Sequence, residues 1–199
     1  MKKYLFSHGA ILTASVGVAL AALSSGPAMA QASSSSVCST PSVSQEFLSF
    51  GDNNWYTPAP GTSHDNFSAT GWTLSGGAKI VSTALKDGNT GSVLYLPPGA
   101  SATSPAMCVQ SGEPYARQIA RVVGTSASNN SLTFYATPTG SSTLSGGMPV
   151  LGAPSWALSP PDNVYPGSGS EYVNFTYKSK TTSPTFEIYN LYVDPKMAR

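Results

Sequence analysis

Charge is scarce in this 199-residue chain: ten lysines and arginines and nine aspartates and glutamates, 10% of the whole. So thin a scatter builds neither a basic stripe for nucleic acid nor a cationic face for an anionic membrane, and it argues against both partners. Histidine is nearly absent, with two in all, and only His64 lies beyond the first thirty residues. It has Asp65 beside it and Ser63 and Ser68 nearby, but neighbours in sequence do not make a hydrolytic triad, so it reads as a solvated loop residue. Cysteine stops at Cys38 and Cys108, too few for a tetrahedral metal site. No stretch sustains apolar residues at helical spacing, which argues against a helical domain. A G-x-S-x-G elbow and a phosphate-cradling loop are both missing.

The N-terminus has what the rest lacks, a long apolar run. Lys2 and Lys3 precede mostly apolar residues 10–23, and Ala28-Met29-Ala30 has the small-x-small pattern of a cleavage site. Residues 1–30 therefore read as a Sec-type signal peptide. The rival is a retained signal anchor, but the run is short and serine-interrupted against the roughly 20 apolar residues of a span. Two covalent anchors are set aside: Cys38 lacks the leucine-type residue of a lipoprotein site, and "LPPGA" lies mid-chain with no apolar tail. A secreted, extracellular protein is expected, soluble and outside the membrane after cleavage. Without Lys2 and Lys3, eight basic face nine acidic side chains, a formal charge of −1. Residues 31–37 form a Ser-rich flexible tail and 38–199 have length for one domain.

Export makes the two cysteines meaningful, because an oxidising compartment favours a bridge between the only available pair. Cys38–Cys108 would close a loop of about 70 residues, contributing roughly 4 kcal/mol on the chain-entropy view.

Period-two patterns recur along the domain. "YARQIARVV" alternates Tyr115, Arg117, Ile119, Arg121 and Val123 against Ala116, Gln118, Ala120 and Val122. A helix is conceivable there from Arg, Gln and Ala, but Pro114, Gly124 and the length favour a strand. "EYVNFTYKSK" sets Val173, Phe175 and Tyr177 against Tyr172, Asn174, Thr176 and Lys178, a strand with one wet face. "SVLYLPP", "SLTFYATP" and "TFEIYNLYVDP" add more, the last with Phe186, Ile188 and Val193 as core. Gly-, Asn- and Asp-rich turns separate them. Eight to ten short strands so punctuated indicate an all-β antiparallel β-sandwich.

The nine carboxylates are scattered and several sit in turns, where they are more often turn-formers than catalysts. Eighteen aromatic residues remain after the signal, on a neutral, hydroxyl-rich background. That composition suits a sugar site, where flat rings stack and polar side chains meet hydroxyls, as well as plain strand surface.

The run from Asn66 to Ala78, "NFSATGWTLSGGA", resembles the first core strands of carbohydrate-binding modules of the family 4/9/22 type. "GNTGSVLYLPPG", "APSWALS" and "EYVNFTYKSKTTSPTFEIYNLYVDP" follow in the same order. The chain is also similar to a group of small secreted actinobacterial proteins, with which it shares "GWTLSGGA", "PPGASATSPAMC" and a terminal "YVDP". The resemblance implies a galactose-binding-like jelly roll with Trp72 as a core residue and Trp156 in a packed strand. It implies calcium ligands at positions that here read Ser68, Tyr189 and Asn190, and the lost carboxylates disfavour that ion. No cofactor is expected.

Ligand-facing aromatics must then come from elsewhere. The candidates are Trp55 and Tyr56 on a polar loop, Tyr165, and Tyr115, Arg117 and Arg121 on one strand face. The expected function is a non-catalytic module for carbohydrate or a cell-envelope component. The alternatives are a structural or adhesive protein that binds protein or itself, and a small secreted glycoside-active hydrolase.

Overall fold

The computed structural model describes residues 38, 42–110, 115–124, 132–144, 148–150, 153–164 and 170–194, all within the compact unit Ser35–Arg199. The expected signal peptide, the tail and Tyr165 lie outside the described residues.

The alternating segments all fold as strands. In chain order these are β1 (Thr57–Pro58), β2 (Thr62–Ser63), β3 (Asn66–Phe67), β4 (Thr73–Ser75), β5 (Lys79–Ala84), β6 (Thr90–Leu96), β7 (Ser101–Thr103) and β8 (Met107–Gln110). Then come β9 (Tyr115–Val123), β10 (Leu132–Pro138), β11 (Met148–Val150), β12 (Ala157–Leu158), β13 (Asp162–Asn163), β14 (Ser170–Ser179) and β15 (Thr185–Asp194). One 3-10 turn, Leu48–Phe50, is the only helical element among the described residues.

A nine-stranded sheet runs β12-β9-β15-β6-β3-β2, with β1 on β15, β13 on β9 and β5 on β6. A six-stranded sheet runs β11-β10-β14-β7-β4, with β8 on β14. Among the described residues every strand pairing is antiparallel except the contact of β3 with β6. The protein is an antiparallel β-sandwich of the jelly-roll class.

The period of two decides which side chains fill the space between the sheets. From the six-stranded sheet come Phe134, Phe175 and Tyr177; from the nine-stranded sheet come Leu94, Leu96, Phe186 and Ile188, all at most 1% exposed. β9 follows its pattern, with Ala116, Ala120 and Val122 in this core and Tyr115, Arg117, Ile119 and Arg121 facing outward. Gln118 faces inward too, fully buried, and its Nε2 donates to Asp162 Oδ2 at 3.0 Å. Tyr177 Oη donates to the other end of the same amide at 3.4 Å. Burial pushes the Asp162 carboxyl up to about 6, against the Gln118 hydrogen bond and the Arg117 charge.

Trp72 belongs to this inter-sheet core. Its ring meets Phe67 edge-on at 4.9 Å, and its Nε1 donates to Pro60 O at 2.6 Å. Gly61 makes that contact possible: its φ is +73°, and a Cβ there would lie 3.0 Å from Trp72 Nε1 and 2.9 Å from the Thr70 backbone. Cys38 and Cys108 form a disulfide, with Cα atoms 5.6 Å apart.

A second apolar cluster lies on the opposite, outer face of the nine-stranded sheet. Val93, Ile119, Tyr189 and Tyr192 rise from the strands, and Phe47 and Tyr56 lie over them. These last two belong to residues 42–56, a strap that crosses the sheet before β1 begins.

Candidate functional site

The outer face of the nine-stranded sheet concentrates the chemistry. In one row across four strands, Lys79 pairs with Tyr95, Tyr95 with Glu187, and Glu187 with Arg121. Beside it Val81 pairs with Val93, and Tyr189 with Ile119. Arg121 Nε donates to Glu187 Oε2 at 2.7 Å and Nη2 to Thr83 Oγ1 at 2.8 Å. The guanidinium also lies 4.3 Å from the Trp156 ring centre, a stacked cation–π contact.

Strap residues 42–56 lie over part of this face. Phe47 is wholly buried, edge-on to Tyr56 at 4.8 Å and to Tyr192 at 5.9 Å. Ser44 and Tyr56 exchange backbone hydrogen bonds of 2.9 and 2.8 Å, which fold the strap back on itself. Asp52 accepts from the Tyr56 hydroxyl at 2.5 Å, from the Asn54 N–H at 3.0 Å and from Arg117 Nη1. Desolvation alone would raise the Asp52 carboxyl, but these donors and the Arg117 charge hold it below its ordinary value. Burial and the same carboxylate push the Tyr56 hydroxyl up to about 12.

Between the strap and the sheet lies a cavity of about 300 Å³. The strap supplies Glu46, Ser49 and Phe50; Ile119, Tyr189 and Asn190 form the floor; two turns close the sides with His64, Asp65, Lys86 and Asp87. Lys86 Nζ sits 3.5 Å from the centre of the Phe50 ring and donates to Ser49 O at 3.3 Å. Trp156 stands edge-on to Tyr189 at 4.8 Å.

Asn190 organises the polar side. It sits at a bulge in β15, with φ of +52°, a left-handed conformation that asparagine tolerates. Its Nδ2 donates to Glu46 Oε1 at 2.7 Å, and its Oδ1 accepts the Asp65 N–H at 2.8 Å. Asp65 is left-handed as well, with φ of +54°. Gly91 lets this turn approach β6, since a Cβ there would lie 2.4 Å from Asp65 O. His64 Nδ1 lies 2.7 Å from Glu46 Oε1, and its Nε2 lies 3.3 Å from Asp65 Oδ2. Desolvation pulls the imidazole down, but the Glu46 hydrogen bond and the charges of Glu46, Asp65 and Asp87 outweigh it and raise its pKa. Burial pushes the Tyr189 hydroxyl up to about 12, against a hydrogen bond with the Lys86 backbone.

Several expected site residues behave differently. Tyr56 is 1% exposed: its ring is pinned under the strap by Phe47 and Asp52, so it offers no stacking platform. Arg117 and Arg121 face outward as expected but are not free, because Asp52 with Ser159 O and Glu187 with Thr83 engage them. Trp55 and Tyr115 remain open, 43% and 42% exposed. The resemblance implies a packed strand for Trp156; instead it precedes β12, half-buried on the outer face, with Nε1 donating to Ala84 O at 3.0 Å. The implied calcium positions do not fit the ion. Ser68 Oγ is engaged with Gly61 O and Thr70, and the Tyr189 ring packs under Trp156, so no carboxylate stands at either place.

Apart from Ile119 on β9, the cavity residues escape a pattern reading because they lie on the strap, in turns and at a bulge. One signal marks the bulge. In β15 the core positions are Phe186 and Ile188, then Leu191 and Val193, an odd step in a period-two pattern that an inserted residue must absorb.

No protein-family model and no curated protein matches the chain. Solved structures similar to it include separate binding domains and parts of larger proteins. The CBM22-1 xylan-binding domain from Paenibacillus barcinonensis Xyn10C is 12% identical, with a TM-score of 0.46, over 69% of this chain and 90% of that one. CsCBM6-3 from Clostridium stercorarium, solved with cellobiose, is 16% identical, with a TM-score of 0.42, over 63% of this chain and 87% of that one.

Proposed function

We propose that this protein is a secreted, non-catalytic module that binds carbohydrate through the outer face of its nine-stranded sheet. The observation that carries the reading is the cavity. Two aromatic rings, Phe50 and Tyr189, meet carboxylate, amide, imidazole and ammonium groups around one concave space, the mixture that places a sugar ring and meets its hydroxyls. About 300 Å³ stands at the low end of ligand pockets, so the occupant is one sugar ring or a chain end rather than a long glycan. Glu46 and Asp65 converge on one amide nitrogen, at 2.7 and 3.4 Å. Both carboxylates also face the His64 ring, and this engagement supports the non-catalytic reading.

Isothermal titration after a glycan-array screen tests this. Micromolar to millimolar binding is expected, weakened at least tenfold by Phe50→Ala and unaffected by Tyr172→Ala on the far sheet. An array and a cell-wall pull-down without any binder overturn the proposal.

The adhesive alternative rests on a different observation: Leu48 and Trp55, 52% and 43% exposed, both project from the strap. It requires concentration-dependent self-association, which analytical ultracentrifugation reads directly.

A further inference from the structure

Three of the ten cavity residues, Glu46, Ser49 and Phe50, belong to one five-residue piece of the strap. The remaining walls belong to the sandwich. The cavity therefore exists only while the strap is docked, and what docks it is specific. At its C-terminal end the strap runs directly into β1, which pairs with β15 in the nine-stranded sheet. At its N-terminal end the covalent tie is the Cys38–Cys108 bridge, and Cys108 lies on β8, opposite Tyr172 of the six-stranded sheet. The strap is thus fastened to both layers, and the five residues between Cys38 and Ser44 make the bridge a short tether. A short tether keeps a weakly held segment at high local concentration. Between the two fastenings the strap is held by side-chain contacts alone: the buried Phe47 and Tyr56 rings, the Asp52–Arg117 contact, and the hydrogen bonds of Glu46 with Asn190 and of Lys86 with Ser49 O, set against the backbone entropy of every ordered residue.

We propose that the Cys38–Cys108 bridge is a redox latch on the cavity: oxidation completes the wall carrying Glu46, Ser49 and Phe50, and reduction releases it while the sandwich stays folded. Both cysteines are partly exposed, so a dithiol reaches them. Its thiolate attacks one protein sulfur to form a mixed disulfide and expels the other as a thiolate, which takes up a proton. The second thiol of the reductant then displaces the remaining protein sulfur. Two electrons pass to the protein, which ends as two thiols, and the reductant ends as a cyclic disulfide. The core strands do not depend on the bridge, since β10, β14 and β15 bury Phe134, Phe175 and Ile188 without it. The consequence is timing: in the proposed secreted protein the cavity forms only after the chain reaches oxidising surroundings. What the cavity takes rests on the carbohydrate reading; the latch itself does not.

Hydrogen exchange on the full chain, with and without dithiothreitol and with reduction verified by intact mass, tests the latch without any ligand. At least tenfold faster exchange confined to residues 42–56, with β10, β14 and β15 unchanged, is the expected result. Unchanged exchange in 42–56 after full reduction overturns the latch. So does acceleration throughout the domain, which would make the bridge a staple of the whole fold. The double variant Cys38→Ser/Cys108→Ser gives the same readout independently of the reductant. A glycan found by the array should bind the reduced protein at least tenfold more weakly; a failed array removes the carbohydrate reading and leaves the exchange result standing.

Discussion

Asn190 and Glu46, 144 residues apart in sequence, are joined by a 2.7 Å hydrogen bond from the amide nitrogen to the carboxylate. That bond fastens the strap to the last strand of the sheet, and the same asparagine side chain receives the Asp65 N–H. One buried residue in a left-handed conformation thus joins three segments around the cavity. Asn190→Ala removes both hydrogen bonds and places a Cβ without polar compensation at positive φ. A loss of about 2–4 kcal/mol is expected in urea unfolding. Asn190→Gly relieves the backbone and should recover about 1 kcal/mol of it; equal losses in both variants would show that the conformation is unstrained.

Asp52 and Arg117 pin the middle of the strap. Their side chains are 8% and 18% exposed, so removing the arginine leaves a nearly buried carboxylate. Arg117→Met should cost about 2–3 kcal/mol, below a fully buried pair because Tyr56 and Asn54 still serve Asp52. The folded-state pKa of Asp52 is depressed, so its contribution is present above its ordinary value of 3.8 and lost as pH falls through the folded value. Arg117→Met should therefore move the acid limb of the stability curve to higher pH. An unmoved limb would mean that Arg117 does not set the Asp52 titration.

Asp162 works in the opposite direction. Its folded pKa of about 6 stands above the unfolded value of 3.8, so the folded state holds the proton more tightly. Stability from this group is full below about pH 4 and is lost as pH rises through about 6, amounting to about 3 kcal/mol at pH 7. Asp162→Asn keeps an acceptor for Gln118 and should abolish this slope between pH 4 and 7. Melting curves at pH 4, 5.5 and 7 with the same slope in both proteins would exclude Asp162 as its source.

His64 should titrate above its ordinary 6.5, because Glu46 and its acidic neighbours outweigh desolvation. Stabilisation from the protonated imidazole is present below 6.5 and disappears as pH rises through the folded value. NMR titration of its ring protons checks this, and Glu46→Gln should bring the midpoint down. A midpoint insensitive to Glu46→Gln would contradict the 2.7 Å contact.

Trp72 should matter for stability and not for ligand. Trp72→Ala opens a cavity between the sheets and is expected to cost about 3–5 kcal/mol. Trp72→Phe keeps most of the volume, leaves Pro60 O without its donor, and should cost about 1–2 kcal/mol. Glycan affinity of the folded Trp72→Phe protein should match the wild type.

The sandwich was legible in the residues because period-two alternation is a local property. Phe175 and Tyr177 face inward for the same reason that Asn174 and Lys178 do not, and the strand over 115–123 follows the same rule. The core position of Trp72 was what the family resemblance implied, and the residue lies between the sheets. The cavity was not. Glu46, Asp65, Asp87 and Asn190 look like turn-formers or a flaw in a strand, and only the meeting of four separate chain segments brings them to one place.

Alternation along each strand by itself determined that this protein builds two facing layers with one shared core, because a side chain's face depends on its immediate neighbours. The two cysteines of the sequence likewise admitted a single pairing. Only the tertiary structure decided what lies on the outer face. Residues 42–56 lie over part of it, bury Tyr56, occupy Arg117 and bring Phe50 to the cavity that Tyr189 lines. Those outcomes depend on where the chain crosses the sheet and where β15 bulges at Asn190. They are long-range matters of packing and hydrogen bonding that no local pattern encodes.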